Sequence, residues 1–332
     1  MMLDLVGYLA FFMTTALTYG LICLGLNLQW GQTGLFNVGV AGFVAIGAYV
    51  SALLTTPPTA DHLGGFGLPI LVGWLAAAAV TGLAALFIGA ITLRLRSDYL
   101  AITTFGVAVS IQLVALNFQS VTGGPFGIAF IPRPFSSLQE NALAFNLANC
   151  ALVAVVTLVV FVGLERLVRG PWGRVLRAVR EDETAAAALG KNARLYRLQA
   201  FVLGCAVMGL AGAVQGHFIG FIAPENYLAA LTFQVWAMLI VGGAGNNRGA
   251  LVGAVVVWGL WSASSALTST IFPPDQQARA ASLQIVLIGV LLAVILVVRP
   301  RGLLAEHVTV SRFVGASPAP GAPAATPTER SP

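Results

Sequence analysis

The sequence predicts an all-α fold: a polytopic transmembrane helical bundle of about nine spans (eight to ten), with one short charged helix outside the membrane. Three observations predict it. Of the 332 residues, 58% are hydrophobic and only 9% charged, against about 25% charged in soluble domains. The apolar residues come in runs near the ~20 needed to cross a bilayer core. The basic residues fall between those runs rather than within them.

The expected spans are 5–28, 35–54, 68–93, 99–117, 144–164, 198–221, 227–243, 249–271 and 283–298. The start, Met1-Met2-Leu3-Asp4, has no basic n-region, and no small-residue cleavage site clearly ends the first apolar run, so that run reads as a retained span. The Gly-rich stretch from Gly31 to Gly47 is the place for a broken or re-entrant helix, which membranes tolerate where protein surrounds it. From about Ser317 the chain is rich in Ala, Ser and Pro and lacks apolar periodicity, the composition of a disordered tail. The division is therefore a membrane domain over 1–304 and a tail over 305–332.

Net charge is +5, but its distribution is that of cytoplasmic loops and not of a nucleic-acid surface. Arg94 and Arg96 follow the third span; Arg166, Arg169, Arg174, Arg177, Arg180, Lys191, Arg194 and Arg197 follow the fifth. Arg248 follows the seventh, and Arg299 and Arg301 the last. The opposite loops carry Arg133 and Arg279 beside Asp61, Glu140, Glu225 and Asp275. The positive-inside rule then places the N-terminus outside and the C-terminus in the cytoplasm.

Within the spans, ionisable groups are nearly absent. Asp98 sits at a span edge, and His217 is the titratable side chain at depth. Proton-coupled carriers need buried acid or His relays, and membrane enzymes need a nucleophile with a base or a metal cluster; neither pattern occurs. Cys23, Cys150 and Cys205 lie in apolar runs without metal-ligand spacing, so no metal or other cofactor is expected. Gly39, Gly42, Gly47, Gly204, Gly209, Gly212 and Gly216 permit close helix approach, as plain packing or as sliding surfaces. Neutral polar residues are costly in hydrocarbon unless paired. Among them Asn37, Gln112, Gln215 and Gln234, with His217, are candidates for a translocation path; interhelical hydrogen bonding is the alternative for each.

The stretch from Pro171-Trp172-Gly173-Arg174 to Gly190 carries the most information. Pro171 and Gly173 interrupt the preceding span. Arg174 to Leu189 favours helix, with Gly190 as C-cap; the acidic run Glu181-Asp182-Glu183 alternatively opens a second short helix capped by Asp182 or Thr184. Composition alone leaves two roles open, a solvated linker or a docking helix for a soluble partner.

Segment by segment, the chain resembles the permeases of branched-chain amino acid ABC importers. The stretch Arg174-Val175-Leu176-Arg177-Ala178-Val179-Arg180-Glu181-Asp182-Glu183-Thr184-Ala185-Ala186-Ala187-Ala188-Leu189-Gly190 resembles their coupling loop. Other segments resemble further signatures of the family, in order: Gly34-Leu35-Phe36-Asn37-Val38-Gly39 with Ile46-Gly47-Ala48-Tyr49 its first glycine-rich segment, then Leu95 to Ile102, Thr122 to Ile128, Val241 to Gly249, and Arg299-Pro300-Arg301-Gly302-Leu303-Leu304. The Asp98-Tyr99-Leu100-Ala101-Ile102 and Thr122-Gly123-Gly124-Pro125 elements are closer to the LivM type of subunit than to its LivH-type partner. One departure is Arg96-Ser97-Asp98-Tyr99, where the family has Arg-Gly-Asp-Tyr.

The resemblance implies a transport subunit and no enzyme. Gly190-Lys191-Asn192 lacks the rest of a Walker A loop, so ATP hydrolysis falls to two cytoplasmic ATP-binding subunits. It further implies a heterodimer with a paralogous permease and an extracytoplasmic solute-binding protein, in a bacterial inner membrane. Arg174, Arg177, Glu181, Asp182, Ala186, Ala187 and Gly190 are then the expected ATPase-coupling residues. The expected solute is a branched-chain or related amino acid. Related permeases carry urea or short amides; an ion-coupled carrier is the competing class.

Overall fold

The computed structural model describes residues 2–58, 63–95 and 97–272, with scattered positions between 282 and 304. Its elements are helices: α1 (Met2–Thr33), α2 (Val40–Thr55), α3 (Ile70–Thr92), α4 (Ser97–Asn117), α5 (Gln119–Thr122), α6 (Ala142–Arg169), α7 (Pro171–Glu181), α8 (Glu183–Ala188), α9 (Ala193–Ile219), α10 (Ala229–Gly242) and α11 (Asn247–Ile271). Three short 3-10 turns join them, and one antiparallel bridge pairs Ile128 with Ile222.

Six helices (α1, α3, α4, α6, α9 and α11) are long and apolar enough to cross a bilayer. The second and seventh expected spans are present as shorter apolar helices, α2 and α10. At about 1.5 Å per residue they reach roughly 24 and 21 Å, less than the ~30 Å hydrocarbon core. Half of the ninth expected span, and the tail over 305–332, lie outside the described residues.

The helix break in the Gly-rich stretch is confined to 34–39. A bare backbone is intolerable in lipid, so its groups must bond to protein. They do: Leu35 N–H donates to the Gln29 carbonyl at 2.9 Å, Val38 N–H to Thr104 Oγ1 at 3.0 Å and Gly39 N–H to Asn37 Oδ1 at 2.8 Å. Just inside α2, Ala41 N–H reaches Thr232 Oγ1 at 3.0 Å. The first span is also longer than expected. Gln29 and Gln32 continue the helix because their amides find partners inside the protein, so polarity there does not mark an end.

α1, α2, α9 and α10 make up the centre, and α3, α4, α6 and α11 lie outside them. Of the most apolar stretch of each helix, 67% of residues are buried in α1 and 61% in α9, against 22% in α6 and α11. The outer helices turn apolar side chains such as Leu71, Leu75, Leu83, Phe87, Val155 and Val159 outward, as a lipid-facing surface requires. The centre is closed by contacts that tolerate no side chain. A Cβ at Gly47 would overlap the Gly209 backbone, one at Gly212 the Val44 carbonyl, and one at Gly25 would lie 2.5 Å from the Gly204 oxygen.

The elements run antiparallel between two ends. One holds the C-termini of α1, α3, α6 and α10, the N-termini of α2, α4, α9 and α11, and all of α7 and α8. Of the described Lys and Arg residues, Arg133 alone lies at the other end. That opposite end holds α5 and the Ile128–Ile222 bridge.

Close packing at the centre gives the first expected outcome. Gly47→Leu should force α2 from α9, costing about 1–3 kcal/mol or more and collapsing the monodisperse yield in detergent. Gly106→Leu, where an added Cβ meets nothing within 4 Å, should leave yield and melting temperature unchanged. Size-exclusion profiles and thermal unfolding of the two variants decide it.

Candidate functional site

The basic end is built around α7. α6 ends at Arg169; Gly170 is its C-cap, and Pro171 starts α7 at a position where its missing N–H costs nothing. The chain folds back so tightly that a Cβ at Gly173 would overlap the Val168 carbonyl. Gly173, Leu176 and Val179 then face inward, with Leu176 fully buried. Trp172 Nε1–H donates to Gln199 Oε1 at 2.8 Å and fastens α7 to α9.

Asp182 separates α7 from α8, so two helices form instead of one. Its backbone is extended, and its carboxylate accepts from Thr184 N–H at 2.9 Å and Ala185 N–H at 3.0 Å, the N-cap arrangement. The Thr184 hydroxyl and the Ala185 and Thr184 amides hold the Asp182 carboxyl below the usual carboxylate range, because they stabilise its ionised form. Glu183 pairs with Arg197 of α9 at 3.0 Å. Gly190, at φ +75°, ends the platform in the left-handed region.

This geometry sorts the expected coupling residues. Arg174, Glu181, Asp182, Ala187 and Gly190 are exposed. Ala186 is not: it is buried against Val179 and Ala193 and seats α8 on the rest of the chain. Arg177 also turns inward, donating from Nη1 to Gln32 Oε1 and the Val168 carbonyl, both at 3.3 Å. Arg180 donates to the Gly31 carbonyl and pairs with Glu181 at 2.8 Å. Two features escape a reading by composition. Arg180 looks like one more solvated charge until its partner on α1 is seen. Leu189 looks like a core residue but is 80% exposed at the tip of the platform, next to Gly190.

No hydrogen bond joins any two of the five candidate path residues among the described residues. Asn37 is fully buried; its Nδ2 donates to Gln29 Oε1 at 2.8 Å, and its carbonyl accepts from Trp236 Nε1 at 3.0 Å. His217 is buried under Trp74. The Pro132 carbonyl, 2.8 Å from Nδ1, can only accept, so Nδ1 carries the proton and Nε2 accepts from the Ser51 hydroxyl at 2.8 Å. Gln215 is half-buried on α9. Gln112 lines a small pocket between α2, α4 and α10, with Ala41, Phe105, Tyr227 and Thr232. Gln234 Nε2 is buried without a partner. Among the described residues no three His, Cys, Asp or Glu side chains gather as a metal site would require.

The chain was compared with known proteins. Residues 8–296 match the family model described as the permease component of branched-chain amino acid transport systems. The high-affinity branched-chain amino acid transport permease LivM of Escherichia coli is 35% identical over 272 residues, 74% of this chain and 60% of that protein. The chain thus spans less than two thirds of this relative. The probable LivM permease of Methanocaldococcus jannaschii is 27% identical over 87% of this chain and 90% of its own. LivH of Salmonella typhimurium is 26% identical over 88% and 92%. No solved structure matches the chain.

The cap at Asp182 generates a pH dependence. Its folded pKa is depressed, so its stabilisation of α8 is present above about pH 4, the unfolded value, and is lost as pH falls through the lower folded value. Amide exchange at Thr184 and Ala185, corrected for intrinsic pH dependence, should show protection at neutral pH that fades in acid. Asp182→Ala should lack that protection at every pH.

Proposed function

The chain belongs to the family of branched-chain amino acid transport permease components, and from that premise we propose that it is the membrane-spanning permease subunit of an ATP-binding-cassette importer. Its solutes are branched-chain or related amino acids. The observation that carries the reading is the α7–α8 platform: an ordered, capped pair of helices at the basic end, whose outer residues Arg174, Glu181, Asp182, Ala187, Leu189 and Gly190 are exposed among the described residues. A solvated linker has no need of Leu176 at full burial, a Trp172–Gln199 bond and an Asp182 cap. A surface that must transmit force does.

The permease supplies no ATP chemistry. Two cytoplasmic ATPases bind beneath the platform, a LivH-type paralogue completes the membrane unit, and a binding protein delivers solute outside. The ATPase-facing residues are Arg174, Glu181, Asp182, Ala187, Leu189 and Gly190, while Arg177 and Ala186 hold the platform to the bundle. Leu189 is the apolar anchor: burying one such side chain stabilises by about 1.5–3 kcal/mol, whereas exposed ion pairs contribute about 0–1 kcal/mol.

Nine crossings fit the geometry. α11 leaves the basic end at Asn247, and Leu303 N–H is back there, donating to the Val241 carbonyl at 2.8 Å. One more crossing between them accounts for both. With the basic end cytoplasmic, the N-terminus is outside, the C-terminus inside, and 305–332 form a cytoplasmic tail to the 1–304 permease domain. The small pocket beside Gln112 and the unpartnered Gln234 amide support a solute path along α4 and α10.

Two outcomes test this. In the reconstituted complex, Leu189→Ser should weaken ATPase association roughly tenfold to a hundredfold, with membrane insertion intact. Gly190→Asp and Ala187→Trp should abolish uptake, and Glu181→Ala should have a mild effect. Pull-down and uptake assays read all four, and ATP-independent uptake by the isolated chain would overturn the proposal. Separately, an impermeant maleimide added from outside should label a cysteine placed at Phe126 and spare one placed at Thr184. The reverse pattern would overturn the orientation.

A further inference from the structure

A chain of side-chain hydrogen bonds, buried at Asn27, Gln32 and Asn247, runs through the basic end beneath the docking surface. It starts on α7, where Arg177 Nη1–H donates to Gln32 Oε1 at 3.3 Å and Arg180 to the Gly31 carbonyl. Gln32 Nε2–H passes on to the Gly245 carbonyl at 2.8 Å, in the turn between α10 and α11. The same glycine's N–H donates to Asn27 Oδ1 at 2.8 Å. Asn27 Nδ2–H donates to Asn247 Oδ1 at 2.9 Å, and Asn247 Nδ2–H to Glu165 Oε2 at 2.8 Å on α6. Arg169 closes the series on Glu165 Oε1 at 2.7 Å. Asn27 is 0% exposed, Gln32 1% and Asn247 4%.

We propose that Asn27 and Gln32 are positioning residues that convert movement of α7 into movement of the α10–α11 turn, deepening the permease reading above. The argument is one of stiffness. Each of the two residues on α1 grips Gly245 by a different backbone group, Asn27 by its N–H and Gln32 by its carbonyl. The turn therefore cannot shift relative to α1 without breaking a bond. In a buried, water-poor site each break costs about 1–3 kcal/mol. α7 holds α1 through Arg177 and Arg180 in the same way. Space is as tight as bonding: a Cβ at Gly31 would overlap the Gly245 backbone. Displacement of α7 therefore drags the end of α1, and with it the turn. α10 follows, and α10 carries Thr232 of the Gln112 pocket.

Ordinary stapling of the fold predicts loss of stability when the bonds are removed, with transport per ATP unchanged in whatever protein survives. A linkage predicts the opposite. The test uses the complete complex in proteoliposomes, measuring uptake and ATP hydrolysis on one sample. Gln32→Glu retains the acceptor for Arg177 but loses the donor to Gly245. It should assemble with ATPases and hydrolyse ATP at near the wild-type rate, while uptake per ATP falls roughly tenfold, the equivalent of one lost buried bond. Gln32→Met, which loses both bonds, should do the same, and Asn27→Asp, which keeps the acceptor for Gly245 N–H, should be milder than Asn27→Leu. Wild-type uptake per ATP in Gln32→Glu and Gln32→Met would overturn the linkage, as would an equal loss of assembly and hydrolysis in both. Failure of the wild-type chain to bind ATPases would instead refute the permease reading.

Discussion

In hydrocarbon no water completes an unfinished hydrogen bond, and most of this structure follows from that constraint. The chain breaks helix at 34–39 and again around 243–246, both at the basic end of the bundle. Each break is possible only because neighbouring helices supply the missing partners. Gln29 serves the first: its carbonyl takes the Leu35 amide, and its side chain takes Asn37 Nδ2 and donates to the Phe201 carbonyl at 2.9 Å. Asn27 and Gln32 serve the second. One polar turn of α1 thus fixes where α2, α9, α10 and α11 meet.

The same constraint explains the two kinds of helix contact. Around the centre, glycines bring backbones together so that dispersion and shape, rather than water exclusion, hold the helices. Gly25 against Gly204 and Gly47 against Gly209 are of this kind. At the basic end, where the chain must turn, cap and carry charge, side-chain bonds add to such contacts, as at Gly31 against Gly245. A bundle made this way is held by hydrogen bonds where it is polar and by close backbone packing where it is smooth.

The platform makes the same point outside the membrane. α7 is ordered by an apolar underside and by arginines that point back into the bundle, so its charge is largely structural. What remains outward is modest: a few acids, small residues, one leucine and a glycine with positive φ. Such a surface suits a close-fitting groove better than a long-range electrostatic match. Its large apolar side chain, Leu189, stands exposed at the tip.

Hydropathy and arginine placement by themselves determined the helical class, the positions of six long apolar helices and two shorter ones, and the separation of a basic from a non-basic end. These are period and composition effects, local to each segment, and lipid enforces them without reference to neighbours. The resemblance over the Arg174–Gly190 stretch likewise pointed to the platform. The roles of individual polar residues were decided only by the fold. Asn37 and His217 were candidates for a path, yet each is buried among bonding partners from other parts of the chain. Ala186 and Arg177 were candidates for an outward surface, yet both face in. The reason is that an amide or a guanidinium has several ways to satisfy its donors, all of them compatible with the same local sequence. Which one is realised depends on partners tens to hundreds of residues away: for Asn27, an Asn 220 positions on.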